Sequence, residues 1–371
     1  MQPSGPYKTS IDSSDFPQIP DPVRKKANSI MAVDPEVQVQ RDEIQFALKD
    51  IGRRLGFVLD TETYAFRSVW EIGHWLSMCM VSSKSLAFLC PVYESEKLVL
   101  PFMMSLSPRL HDRRAISLTG DFDFDLNELR EVAKSRRSIF VFSLGSPVTG
   151  AIMEANEATR VVHETGGIVI MDASYILPRR WPSLAAIDAD ITIVRSRPIL
   201  SFDGLVIAYL SRRIRDILKG DSVLSSCWKA MSQADIPSEQ ILCMLEALRY
   251  LGNIGHENNR ARDLEFCRTV LDGIQKAEGL KLIGPTEPLK RIAIFSMTST
   301  RFNPKEISLM LDNATGLIVS VNSLGVKDKH LSVPFQTEPC IRFAPFIQNT
   351  KDQVRALVDA LAIVSKGGVG Q

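Results

Sequence analysis

An excess of one charge sign, paired cysteines and long apolar runs are all missing from this chain. Its 371 residues carry 44 Lys and Arg against 43 Asp and Glu, a formal net charge of +1, and no block of like charges forms a tail. That balance argues against a nucleic-acid footprint. The six cysteines (Cys79, Cys90, Cys227, Cys243, Cys267 and Cys340) include no C-x-x-C pair. Several lie in apolar runs such as LAFLC and ILCML, where Cys acts as a small hydrophobe. Neither a disulfide framework nor a zinc site is expected, and the pattern suits a reducing compartment. The five histidines (His74, His111, His163, His256 and His330) show no ligand spacing, so no metal is expected either. No apolar run approaches the length of about 18 residues that a membrane span needs. The opening MQPSGPYKTSIDSSDFPQIPDP has no cationic start followed by an apolar stretch and is not a secretory signal. A cytoplasmic protein without membrane contact is the expectation.

What is present is an ordinary globular composition, 45% hydrophobic and 23% charged, in a chain long enough for two or three lobes. Residues 1–22 read as a disordered N-terminal arm. From Gln40 to Leu55, Ile44, Leu48, Ile51 and Leu55 recur at helical spacing. A helix over SVWEIGHWLSMCMV, a strand over SLAFLCPVY, and a helix over ESEKLVLPFMMSL broken or kinked at Pro101 follow. Then RAISLTG, SIFVFSLG, IVIMDAS, ADITIVR and GLVIAYL read as strands, with helices at FDLNELREVAKS and MEANEATRVVHETG. Continuous apolar strands alternating with amphipathic helices predict an α/β fold with a mostly parallel sheet covered on both faces. Residues 23–235 make this large domain. Residues 236–371 begin with about forty residues of near-continuous helix and continue as a smaller C-terminal α+β domain.

Ligands in such sheets sit at the carboxyl ends of the strands, which draws attention to two places. Asp172 ends IVIMD and is followed by Ala173, Ser174 and Tyr175. A carboxylate there can accept a proton from a ring nitrogen, bind a metal or cap the next turn. The strand ITIV empties into Arg195, Ser196, Arg197 and Pro198. These arginines are either surface residues just past the strand or the wall of an anion site, because an unpaired cation at a buried strand end costs several kcal/mol.

The order S-L-G-S-P-V-T-G, helix, apolar strand ending in Asp-Ala-Ser, then a strand starting Ala-Asp resembles the large domain of pyridoxal-phosphate enzymes of the aspartate-aminotransferase fold. The runs DASYILPRRWPSLAAIDADITIV, NSLGVKDKHLSVP and CIRFAPFIQNTKDQVRALVDAL look most like the cysteine/methionine-metabolism (trans-sulfuration) family. The class-V aminotransferase and cysteine desulfurase families share the fold and the final Arg-bearing segment. The resemblance implies a seven-stranded-type sheet, with Asp172 pairing with the cofactor's ring nitrogen. It also implies Tyr93 stacking on the ring, Ser174 beside it, and Arg342 with Ser323 at a substrate carboxylate.

The departures from that family are as informative. Aligned on Asp190, Pro198 stands at the position of the Schiff-base lysine, and proline has no amine. Arg195 and Arg197 replace the motif's hydroxyl residues, and Ala65, Phe66 and Arg67 stand where the phosphate-binding turn is small in the family. Val33 and Pro35 stand where a Tyr-x-Arg completes that cup. Lys84, Lys97, Lys327 and Lys329 are the neighbouring amines. No Cys lies near SLGVKDKH, which argues against a persulfide-forming desulfurase. Three accounts stay open. The first is a degenerate protein without lysine-dependent catalysis, a non-catalytic or regulatory subunit of a homologous, lysine-containing enzyme. The second is a repurposed site in which Arg67, Arg195, Arg197 and Arg342 bind a small anionic amino-acid-like or sulfur-containing metabolite, with elimination or addition chemistry suggested by resemblance. The third is pyridoxal phosphate held without a covalent bond. A homodimer or homotetramer is expected in each case.

Overall fold

The computed structural model describes residues 9–10, 18–32, 41–57, 62–80, 85–219, 238–325 and 338–366. Its strands are β1 (Thr9–Ser10), β2 (Glu62–Phe66), β3 (Leu86–Pro91), β4 (Leu110–Ile116), β5 (Ser138–Ser143), β6 (Ile168–Asp172), β7 (Ile191–Arg195), β8 (Val206–Leu210), β9 (Leu280–Ile283), β10 (Phe295–Ser299), β11 (Leu317–Ile318), β12 (Ser320–Ser323) and β13 (Pro339–Phe343). Seven of them form one sheet in the order β2-β8-β7-β6-β5-β3-β4. Its pairs are parallel except those made by β8, which runs against both β7 and β2. The fold is the expected α/β architecture with a mostly parallel seven-stranded sheet.

The helices preceding and covering this sheet are α1 (Asp21–Met31), α2 (Arg41–Arg54), α3 (Val69–Cys79), α4 (Glu96–Leu106), α5 (Leu126–Ser135), α6 (Ala155–Glu164), the short α7 (Leu177–Arg180) and α8 (Arg212–Lys219). Alternation along the central strands explains how they divide. Ile139, Val141, Ile168, Ile170, Ile191 and Ile193 face one way, onto Trp75, Leu76 and Phe102 of α3 and α4. Phe140, Phe142, Val169 and Met171 face the other way, onto Leu129, Val161 and Val162 of α5 and α6. Both faces are buried, so the strands read as unbroken apolar runs. α3 and α4 approach closely because Gly73 faces Pro101, where an added Cβ would lie 2.7 Å from the Pro101 carbonyl oxygen.

Beyond α8, β9, β10, β12 and β13 form an antiparallel sheet in the order β12-β13-β10-β9. The helices His256–Ile274, Pro304–Thr315 and Lys351–Val364 cover it through Phe266, Ile307, Leu311, Leu357 and Leu361. This is the smaller α+β part of the chain. The two sheets are tied by a buried charge cluster: Asp263 accepts from Arg179 at 3.1 Å and pairs with Arg180 at 2.8 Å. Arg179 also donates to the Pro345 carbonyl at 2.8 Å.

Three local expectations change. The long helix predicted across the junction is two helices, Ser238–Ile254 and His256–Ile274, parted at Gly255 with φ +92°. An L side chain rarely adopts that conformation, so the helix must end there. α4 runs on through Pro101 rather than stopping at it. The strand expected at RAISLTG starts earlier, at Leu110. Within the expected N-terminal arm, Thr9–Ser10 pairs in parallel with Leu317–Ile318, and α1 begins at Asp21. The rest of residues 1–17 lies outside the described residues, as do Val33, Pro35, Lys84, Lys327 and Lys329. Among the described residues no helix is long and apolar enough to cross a membrane.

Candidate functional site

Chain order reverses direction between β3 and β5: β4 lies on one side of β3, while β5, β6 and β7 step away on the other. At such a reversal the loops leaving adjacent strands diverge and open a crevice at the carboxyl edge. Five polar residues meet there. Glu94 follows β3, Ser143 ends β5, Asp172 ends β6, Ser174 follows it, and Arg195 ends β7.

Their hydrogen bonds form two adjacent groups, one around Glu94 and one around Asp172. Glu94 is buried and its carboxylate accepts from the Ser95 N–H at 2.7 Å, the Ser143 N–H at 2.7 Å and the Ser143 hydroxyl at 2.8 Å. Burial pushes its carboxyl up to about 7, those bonds oppose the rise, and the charge of Asp172 adds to it. Asp172 Oδ1 accepts from the N–H and the hydroxyl of Ser174. Its Oδ2 accepts from Arg195 Nη2 at 2.7 Å. The Arg195 N–H donates to Ser174 Oγ at 2.8 Å. The Arg195 guanidinium also stands 5.0 Å from the centroid of the Tyr175 ring. Sequence reasoning placed Asp172, Ser174 and Arg195 at this edge. It missed Glu94, whose only signal is an acidic residue directly after a buried strand.

Beside these groups lies an open cleft of about 600 Å³ lined by Arg67, Ser68, Val69, Trp70, Lys97, Arg195, Asp203, Gly204, Leu205 and Val206. It opens at the start of α3. Ser68 caps the helix by accepting from the Glu71 N–H, and Glu71 Oε2 accepts from the Arg67 N–H. Ser68, Val69 and Trp70 at the start of the helix line the cleft, and the amides of Val69 and Trp70, its first two, have no acceptor within the helix. Arg67, Lys97 and Arg195 thus converge here with Asp203 as the one acidic lining residue. Chemically the cleft suits a small anion.

The other predicted site residues do not line this cleft. Arg197 and Pro198 sit in a short 3-10 turn after β7, with Pro198 buried and Leu200 closing the turn at φ +66°. Arg197 is not among the cleft's lining residues, so the expected convergence of three arginines reduces to Arg67 and Arg195, with Lys97 joining them. Tyr93 tilts against Phe122 at 6.5 Å and packs with Val148, Ile283, Leu324 and Cys340. Arg342 is buried on β13 and Nη1 donates to the Pro147 carbonyl at 3.5 Å. Ser323 ends β12, opposite Pro339. Asp190 lies at the opposite edge of the sheet, held by Arg213, His163 and the Val169 N–H.

Comparison with known proteins adds a family. Residues 113–357 match the model of class-V aminotransferases. A probable cysteine desulfurase of Mycobacterium leprae is 24% identical over 263 residues, 66% of this chain and 61% of the relative. One of Streptomyces coelicolor is 23% identical over 264 residues, 67% of this chain and 62% of the relative. The alignments therefore span about three fifths of these relatives' length. Among solved structures, a cysteine desulfurase of Escherichia coli superposes with a TM-score of 0.79 at 15% identity, covering 97% of this chain and 95% of that one. The apo cysteine desulfurase of Thermococcus onnurineus gives 0.78 at 15% identity over 96% and 94%. These matches correct the trans-sulfuration expectation: the S-L-G turn, Asp-Ala-Ser and the Arg-bearing strand belong to the wider fold, and the model that fits is that of class V.

Pyridoxal phosphate, the cofactor implied by that superfamily, does not fit the residues around Asp172. A ring nitrogen would have to share Oδ2, to which Arg195 already donates at 2.7 Å while Ser174 takes Oδ1 twice, and a protonated ring would bring a second cation against a carboxylate whose charge the guanidinium already matches. The charge that would hold a protonated ring is matched by the chain's own arginine.

Proposed function

The chain belongs to the class-V aminotransferase family, and from that premise we propose that it binds a small anionic metabolite without lysine-dependent catalysis. The observation that carries this reading is the cleft in which Arg67, Lys97 and Arg195 meet at the start of α3. Its volume, about 600 Å³, suits a ligand the size of a phosphorylated or sulfonated amino acid. Counted from Asp190, Pro198 stands where the resemblance implies the Schiff-base lysine, and a proline nitrogen within the backbone can neither form an imine nor carry a proton to and from a substrate.

The desulfurase likeness supports a sulfur-containing ligand class, cysteate-like or thiol-bearing, rather than the relatives' reaction. No cysteine occurs in residues 326–337, where resemblance to those enzymes would seek a sulfur acceptor. The two ends of the ligand are then distinguished by charge. Its strongly acidic group meets Arg67, Lys97 and the amides of Val69 and Trp70, and Arg195 stands at the inner wall toward Asp172.

Calorimetric titration of the purified chain with phosphoserine and with cysteate tests this. A saturable site of one ligand per chain is expected, weakened about tenfold by Arg67→Ala, the change for one charge-assisted contact of about 1.4 kcal/mol. Incubation with pyridoxal phosphate and borohydride is expected to leave no stoichiometric adduct. Flat titrations, or a single lysine reduced in full yield, would sink the proposal.

A further inference from the structure

The counter-ion of Asp172 comes from the next strand, and the arrangement is unusually complete. Arg195 Nη2 donates to Oδ2 at 2.7 Å, the Arg195 N–H donates to Ser174 Oγ at 2.8 Å, and the Ser174 hydroxyl donates to Asp172 Oδ1. Register explains it: Asp172 pairs across the parallel ladder with Ile193, so the residue two further on emerges just past the carboxylate. Burial works against the guanidinium's charge, but Asp172 and Tyr175 outweigh it and hold it protonated. Tyr175, three residues past Asp172, sets its ring 5.0 Å from the guanidinium carbon.

A flat cation that donates an N–H to an aspartate beside an aromatic ring is also a description of a protonated pyridine. Both are planar, both spread one positive charge over a conjugated frame, and both satisfy the same carboxylate oxygen. One carboxylate charge matches only one of them.

We infer that Arg195 is a resident substitute for a pyridinium ring: its guanidinium takes the Asp172 oxygen that a nitrogen heterocycle would use, so the crevice selects ligands by their anionic group and gains nothing from a ring nitrogen. The inference rests on the anion cleft above for its ligand class, because the same arginine forms part of the cleft wall. It goes further by assigning Asp172 a different partner from the one its position in the fold implies. It also gives a reason for an intact aspartate in a site without an imine-forming lysine: the carboxylate is kept as the anchor of Arg195.

Two ligands that differ at one position make the test. One is pyridoxine 5′-phosphate; the other is the benzene analogue with the same substituents and C–H in place of the ring nitrogen. Neither carries an aldehyde, so lysines do not enter. Titrated into the full chain, the two are expected to bind with equal affinity within about twofold. In Arg195→Met, which keeps bulk without charge, the pyridine ligand is expected to bind about tenfold or more tightly than its carbon analogue, since a charge-assisted hydrogen bond to Asp172 becomes available. The double variant Asp172→Asn, Arg195→Met removes that preference. Arg195→Ala, which admits water to the carboxylate, is the reserve should the Met variant melt before it can be titrated. A tenfold preference for the pyridine in the unmodified chain overturns the inference, and so does equal binding in folded Arg195→Met. If neither ligand binds the unmodified chain, the anion-cleft reading fails, while the substitution is still read from the variant: nitrogen-selective binding gained there supports it, and none gained overturns it.

Discussion

Asp172 and Asp190 are both enclosed aspartates at the ends of neighbouring strands, Asp172 ending β6 and Asp190 preceding β7, both matched to arginine, and they lie at opposite edges of the same sheet. Asp190 draws its partners from the covering helices: Arg213 of α8 at 2.7 Å and His163 of α6 at 2.9 Å, with the Val169 N–H at 2.8 Å. Its arginine remains 29% exposed. Asp172 draws its partners from its own strand end and the next one, and its arginine is only 13% exposed. The two pairs are alike in chemistry and differ in place. At the amino edge the pair fastens helices to strands. At the carboxyl edge, where this architecture receives ligands, the pair fills a position that a ligand would otherwise take.

Removing one charge from each pair separates them most sharply. Asp172→Ala leaves Arg195 buried without its carboxylate, and a cost of about 3–5 kcal/mol in urea denaturation is expected. Asp172→Asn combined with Arg195→Met is expected to recover most of that loss, because no bare charge remains. An Asp172→Ala chain as stable as the parent would break the comparison, since the carboxylate would then hold nothing.

Next in size is a pH effect belonging to the carboxyl edge alone. Glu94 titrates at about 7 in the folded chain against an ordinary value of 4.5. Between these values the native chain keeps a proton that the unfolded chain has released, so the native state binds more protons and stability falls as pH rises. About 3 kcal/mol is expected to be lost from pH 4.5 to 7, with little further change from this group above that window. Glu94→Gln changes absolute stability by disturbing the bonds to Ser95 and Ser143, but the informative quantity is the slope. A slope that survives the substitution assigns the titration to another group.

How far the sequence reveals this edge depends on whether a residue's role is local. Strand identity was legible because LAFLC, SIFVFS, IVIMD and ITIV are apolar on both faces, and the parallel order placed Asp172 and Arg195 at one edge. Their mutual contact was not legible, although a parallel register between β6 and β7 makes it geometrically natural. Glu94 was missed because nothing in P-V-Y-E-S distinguishes a buried acid from a turn acid. The difference lies in Ser143, 49 residues away. Gly255 was available as a signal, yet a single glycine within a helical pattern costs only about 1 kcal/mol and does not by itself announce a break. The trans-sulfuration reading failed for a related reason: its motifs mark the turns and strand ends of the whole fold, so they identify the architecture before the branch.

The smallest expected effect concerns the amino edge. Asp190→Asn keeps an acceptor for the Val169 N–H and frees Arg213, whose partly exposed side chain can turn to solvent instead of remaining stranded. His163, 16% exposed, can do the same. The expected loss is therefore about 1.5–3 kcal/mol, the scale of a hydrogen bond to a charged group rather than of an abandoned buried ion. Phosphoserine affinity is expected to stay within about twofold, since helix anchoring and the cleft lie at opposite edges of the sheet and distant sites act independently. Urea denaturation and calorimetry on the same preparation measure both. A cost as large as that of Asp172→Ala, or a tenfold change in affinity, would show that the two edges of the sheet communicate and that the place of each pair does not set its role.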